Sequence, residues 1–254
     1  MTHRIFSTIP AGQGLAGTDL TRRQFNLVAL AFALFIALSV FYLDRLTAGL
    51  LVELPRGVIL FHRQITKLGL AGPYLIGSIV LACLFWWRAR HTNLLCQRLR
   101  EWARASACLF TFAAVSLSGL IINLIKMFIG RPRPFLYNRD SSIYFDFDPF
   151  PISAMWKSFP SGHTNTAFVV ALCIGFFMPR LRTPLLALAC IVAASRVYIG
   201  AHYPSDVLGG AFIAYLTTYS LRHWWEKKYR LPFMAGRQMV GVRGFEPPAS
   251  TSRT

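Results

Sequence analysis

Six apolar stretches divide this chain, at 25–43, 70–87, 105–126, 164–179, 184–201 and 205–221. Each approaches the ~20 apolar residues that a helix needs to cross a bilayer core. In lipid the backbone must satisfy its own hydrogen bonds, so apolar runs of this length fold as helices. The expected fold is therefore all-α: a polytopic membrane helical bundle with six transmembrane helices. Composition agrees, with 54% hydrophobic and 15% charged residues, where a soluble domain carries about 25% charged residues. Trp86 and Trp87 end the second stretch and Trp224 and Trp225 follow the sixth, as aromatic belts do at membrane interfaces.

The spans imply three regions. Residues 1–24 form a polar, Gly-rich N-terminal arm with no cleavable signal peptide, 25–221 the membrane domain, and 222–254 a basic tail expected to be disordered. The tail's end, GVRGFEPPASTSRT, resembles the product of a reading frame running into a tRNA gene and is assigned no function. Between the first two spans, 44–69 is apolar but broken by Glu53, Pro55 and Arg56. An interfacial helix is expected there rather than a seventh span. Segment 88–104 reads as a basic connector. The longest loop, 130–160, is rich in Pro, Asp and aromatic residues, and loops of that length usually serve function.

Most of the 27 Lys and Arg fall on one side of this layout: the arm, the 88–104 connector, Arg180, Arg182 and the tail. The positive-inside rule makes that side cytoplasmic. Both termini are then cytoplasmic, in a bacterial inner membrane, with the long loop periplasmic. The net charge of +17 does not indicate a nucleic-acid partner, because the basic residues lie between apolar spans and not on one soluble face. Of five Cys, four lie within apolar runs and none has CxxC or Cys/His spacing. They read as small buried hydrophobes, with no disulfide framework or zinc site.

Charge at membrane depth is costly and usually functional. Lys126 closes the third span, Arg133-Pro134 follows, and Arg196 closes the fifth beside Ser195. Singly, each reads as an interface anchor. As a set on one membrane face, they suit a phosphoryl group whose charge spreads over three oxygens. Pro160-Ser161-Gly162-His163 precedes the fourth span. Ser161 suits an N-cap, Gly162 admits a ligand to the backbone, and the free N–H groups of a helix start attract anions. The bland reading is a helix cap with an incidental His. His202 and Asp206 are four residues apart, a spacing that puts both on one helical face at the start of the sixth span. Tyr203 and Pro204 mark the turn into that helix. The carboxylate can then accept from one ring nitrogen and leave the other free to attack phosphorus. A surface His–Asp pair is the plainer alternative. Asp140, Asp146 and Asp148 read as solvated loop charges, with cation binding as the alternative. Tyr144, Phe145, Phe147, Phe150 and Trp156 read as loop packing, with lipid contact as the alternative.

These segments match a family signature: Lys, six residues, Arg-Pro; Pro-Ser-Gly-His; and Ser-Arg, five residues, His, three residues, Asp. The chain resembles the type-2 phosphatidic acid phosphatase and vanadium haloperoxidase superfamily, in its membrane lipid phosphatase branch. The resemblance covers most of 105–221. It implies that His202 is the nucleophile of a phosphohistidine, that Asp206 orients it, and that His163 protonates the leaving oxygen and then activates water. It further implies that Lys126, Arg133, Arg196, Ser161 and the Gly162 N–H hold the phosphate, with no metal and no cofactor. Few outward carboxylates lie near the motifs, consistent with that.

The leading expectation is a lipid phosphatase acting on undecaprenyl diphosphate, phosphatidylglycerol phosphate, phosphatidic acid or lipid A, with the bilayer and a lipid phosphate as its partners. A lipid phosphotransferase using the same phosphohistidine is the alternative. Haloperoxidase relatives are soluble and larger, and a transporter or scaffold does not call for the catalytic set.

Overall fold

The computed structural model describes residues 22–50, 55–137 and 139–229. The arm before Arg22, Glu53 and the tail beyond Tyr229 lie outside these residues. Every one of the six apolar stretches is helical, and no strand occurs among the described residues. Helix α1 (Arg22–Leu38) runs through a π-helical turn (Ser39–Leu43) into α2 (Asp44–Leu50). A π turn shifts the register of the residues after it, and here Asp44 is fully buried. Pro55, in extended conformation, precedes α3 (Arg56–Ile65), which has no buried residue. A 3-10 turn (Thr66–Gly69) leads into α4 (Ala71–His91).

Helix α5 (Leu95–Ile129) has 35 residues, a length of about 50 Å. It absorbs most of the expected 88–104 connector, so only Thr92–Leu94 separates it from α4. It stops at Gly130, whose φ of 56° lies in the left-handed region. A side chain there would also collide with the Asp148 carbonyl. After the single turn α6 (Pro134–Tyr137), the long loop carries two 3-10 turns, Ser141–Phe145 and Ala154–Trp156. Helices α7 (Gly162–Phe177), α8 (Arg182–Tyr198) and α9 (Pro204–Tyr229) complete the order. Residues 222–229, expected in the tail, continue α9.

Helix α7 is central. It packs against α5, α8 and α9, while α4 lies on α5 and α1 on α9. Phe110, Ala114 and Val115 of α5 meet Val169, Cys173 and Phe176 of α7 and Ala214 of α9 in the main core. The stretches Arg23–Gly49, Arg56–His91, Leu95–Tyr137 and Pro179–Tyr198 are long and apolar enough to cross a membrane; α7 is apolar but shorter. Large apolar side chains on the outer helices, such as Leu34, Phe35, Ile76 and Val80, are exposed, as expected of a surface that lipid covers. Cysteine burial is mixed. Cys173 is buried, whereas Cys83, Cys96 and Cys190 are exposed because their helix faces turn away from the bundle.

Candidate functional site

The last turns of α5 and α8 and the first turns of α7 and α9 meet at one end of the bundle. This brings the three cations together. Lys126 Nζ donates to the Lys157 carbonyl at 2.9 Å. Arg133 Nε donates to the Ala154 carbonyl at 3.0 Å. Arg196 Nη1 donates to Thr66 Oγ1 at 2.8 Å, and its Nε is buried without a partner. Each lies close enough to feel another's charge, and all three bear on His163. Among the described residues none forms an ion pair with a carboxylate. Asp206 attracts Lys126 and Arg133 from nearby, but one carboxylate does not offset three cations, and an anion bound among them relieves the remaining repulsion.

Ser161 occupies the N-cap position of α7, but its side chain does not cap the backbone. Its Oγ accepts from Thr164 Oγ1 at 3.0 Å. The expected capping bond is thus replaced, and Ser161 is fully buried. Its backbone N–H donates to the Asp206 carbonyl at 2.9 Å. The N–H groups of the first turn of α7 have no intrahelical acceptor and are available to an anion. Helix α9 approaches this loop closely, and a Cβ on Gly210 would overlap the Ser161 carbonyl.

His202 and Asp206 do not share a helical face as expected. Pro204 begins α9, so His202 stands before the helix and Asp206 in its first turn. Proline suits that first position because its missing N–H would have no partner there. The Asp206 carboxylate reaches back to the Tyr203 N–H at 2.9 Å, as the acid of a capping box does. This curl places Asp206 Oδ2 at 3.5 Å from His202 Nδ1, and Nδ1 makes no hydrogen bond. Burial pushes His202 down to about 3, against the opposing pull of Asp206. The imidazole is therefore neutral at neutral pH.

Behind this pair lies a buried polar network. Arg131 Nη1 donates to Asp206 Oδ1 at 2.7 Å and to Ser205 Oγ at 2.6 Å. Its Nη2 donates to Asp44 Oδ2 at 2.8 Å and to the Tyr144 hydroxyl at 3.1 Å. Asp44 Oδ1 accepts from Ser39 Oγ and from the Ser205 N–H, each at 3.0 Å. Ser205 Oγ also donates to Asp44 Oδ2. Ser158 Oγ donates to Asp206 Oδ2 at 2.5 Å.

Residues 104–230 match the PAP2 superfamily. The chain belongs to this superfamily. A lipid A 1-phosphatase of Rhizobium etli is 42% identical over 101 residues, 40% of this chain and 43% of that one. An undecaprenyl-diphosphatase of Bacillus subtilis is 33% identical over 99 residues, 39% of this chain and 48% of that one. The matches thus span less than half the length of these relatives. A crystal structure of a transmembrane PAP2 type phosphatidylglycerolphosphate phosphatase from Bacillus subtilis shares the fold. Its TM-score is 0.55 at 21% identity, covering 78% of this chain and 96% of that one.

In this PAP2 protein all the signature positions gather at one end of the bundle. Arg131, Asp44, Ser158, Ser205, Tyr144 and Thr66 join them from outside the signature. Asp44 had a signal, a lone carboxylate ending an apolar run, which is costly unless paired. Arg131 stands two residues before Arg133 in a second Arg-Pro pair, and only the six-residue spacing from Lys126 singles out Arg133. Asp140, Asp146 and Asp148 are exposed, whereas Tyr144 is packed inside. Among the described residues no three His, Cys, Asp or Glu side chains come together.

Proposed function

We propose that this PAP2 protein is an integral membrane phosphatase that hydrolyses a phosphate monoester or diphosphate of a lipid through a phosphohistidine. One observation carries the reading: three cations without carboxylate partners flank His163, beside a neutral, buried His202. Lys126, Arg133 and Arg196, with the Ser161 hydroxyl and the Gly162 N–H, hold the phosphate. The ring nitrogen of His202 remote from Asp206 attacks phosphorus as the ester bond breaks. His163, protonated once the bound phosphate offsets the three cations around it, gives the leaving oxygen its proton. It then takes a proton from water, which attacks the phosphohistidine and releases phosphate.

A lipid substrate is supported by an apolar cavity of about 730 Å³ between α1, α5 and α9. Ile36, Leu117, Ile121, Phe212 and Phe159 line it. Phe159 directly precedes Pro160-Ser161, so an acyl or prenyl tail in this groove leads toward the phosphate loop. The activities named for the relatives support the same class. In this reading α1 with α2, α4, α5, α7, α8 and α9 are six spans and α3 lies at the interface. The termini are cytoplasmic, and the site faces the periplasm of the inner membrane.

The test is phosphate release by detergent-purified protein from phosphatidic acid, phosphatidylglycerol phosphate, undecaprenyl diphosphate and lipid A, with EDTA present. Release that disappears in His202→Ala supports the reading. Phosphate moved to an acceptor without free phosphate indicates phosphotransfer instead. No reaction with any lipid, by folded protein, rejects both.

A further inference from the structure

Asp206 has two oxygens and more than one task. Oδ2 accepts from Tyr203 N–H and Ser158 Oγ and faces His202. Oδ1 faces the opposite way, and the hydrogen bond it accepts comes from Arg131. The guanidinium is a planar fork, so a group that fixes one arm also fixes the other. Its second arm is fixed by Asp44, from a helix more than 80 residues earlier in the chain. The ring of Tyr203 covers the same guanidinium, 4.4 Å from its centroid. Asp44 and Asp206 are fully buried and Arg131 is 5% exposed.

We propose that Asp44 and Arg131 are positioning residues for the reaction: Asp44 anchors Arg131, and Arg131 holds Asp206 with Oδ2 turned toward His202. This rests on His202 being the nucleophile. The trio carries two negative charges and one positive, a net −1. When His202 Nε2 bonds to phosphorus, the ring becomes cationic with a proton on Nδ1, and the network's surplus negative charge lies beside it. Neighbouring charges on the other elements are Lys126 of α5 and Arg196 of α8. Stability alone does not account for the arrangement, because buried ion pairs are often no more stabilising than apolar residues of the same volume. The π turn at Ser39–Leu43 adds a second indication, since it delivers Asp44 to this spot and such turns often occur at functional sites.

The experiment measures kcat and KM of full-length, detergent-purified protein on phosphatidic acid micelles and on undecaprenyl diphosphate, normalised to folded protein. Asp44→Asn keeps the size of the side chain and removes its charge. It is expected to lower kcat about tenfold with KM within about twofold, as a misaligned catalytic group does. In an Asp206→Asn background, the same substitution is expected to change kcat less than about twofold, because the group it acts on is already disabled. Arg131→Lys keeps the charge but cannot bridge both carboxylates, and is expected to match Asp44→Asn. The proposal is overturned by Asp44→Asn with unchanged kcat, or by losses that multiply in the Asp44→Asn/Asp206→Asn pair. If Asp44→Asn does not fold, Arg131→Lys decides, and unchanged kcat there overturns the proposal. Full activity in His202→Ala rejects the nucleophile assignment itself, whatever residue 44 does.

Discussion

The backbone N–H of Ser161 donates to the carbonyl of Asp206 at 2.9 Å. This single bond ties the proposed phosphate-binding loop before α7 to the first turn of α9, which carries the partner of the proposed nucleophile. The two halves of the site are thus held at a fixed separation by backbone, and Gly210 permits it by presenting no side chain to the Ser161 carbonyl.

Gly210→Ala should therefore separate the halves. The new methyl meets backbone and not a movable side chain, so the helix or the loop must shift. Overpacking of this kind costs about 1–3 kcal/mol. A lower melting temperature in detergent together with a loss of kcat is expected. Unchanged values of both would show that the contact relaxes freely.

Removing one of the cations proposed to bind phosphate should cost far more in rate than in stability. Arg196→Ala and Lys126→Ala are each expected to lower kcat by about 10²–10³-fold, the usual cost of one transition-state charge donor. Arg196→Lys should not restore the rate, since an ammonium lacks the two-pronged geometry. Inhibition by inorganic phosphate should weaken in the same variants, and steady-state kinetics reads both effects.

Acid should destabilise the fold in part through His202. Its folded value of about 3 lies below the ordinary 6.5. Between those values the unfolded chain binds a proton that the folded chain does not, so stability falls as pH drops through that window. His202→Asn removes this contribution. Melting temperatures at pH 7.5 and pH 4.5 should therefore fall less in the variant than in the parent. Equal falls would mean that His202 is protonated in the folded protein.

Blocking the apolar groove should separate tail binding from chemistry. Leu117→Trp fills part of the cavity lined by Ile121 and Phe212. KM for a long-chain lipid phosphate is expected to rise about tenfold, equivalent to ~1.4 kcal/mol. The kcat and the hydrolysis of a short, water-soluble phosphate ester should stay the same. Equal effects on both substrates would place the tail elsewhere.

Much of this protein was legible in one dimension. Apolar run length dictated helices, because lipid gives an unpaired backbone no partner. All six stretches are helical, and α5 simply extends further into polar sequence than its apolar part indicated. The spacings around Lys126, His163, Arg196 and His202 identified the family, because the signature is a set of residue types at set intervals. The tertiary structure decided what those intervals cannot encode. Pro204 starts α9 after His202, so the His202–Asp206 geometry comes from a turn and not from a helical face. The Ser161 hydroxyl turns to Thr164 and not to the helix backbone. Asp44 meets Arg131 only because the loop after α5 bridges α2 and the first turn of α9, and Thr66 meets Arg196 only because the turn before α4 lies against α8. Local pattern records which groups a segment carries and its helical period. Which distant groups neutralise one another depends on how helices pack, and that energy is shared among many contacts that no short stretch of sequence contains.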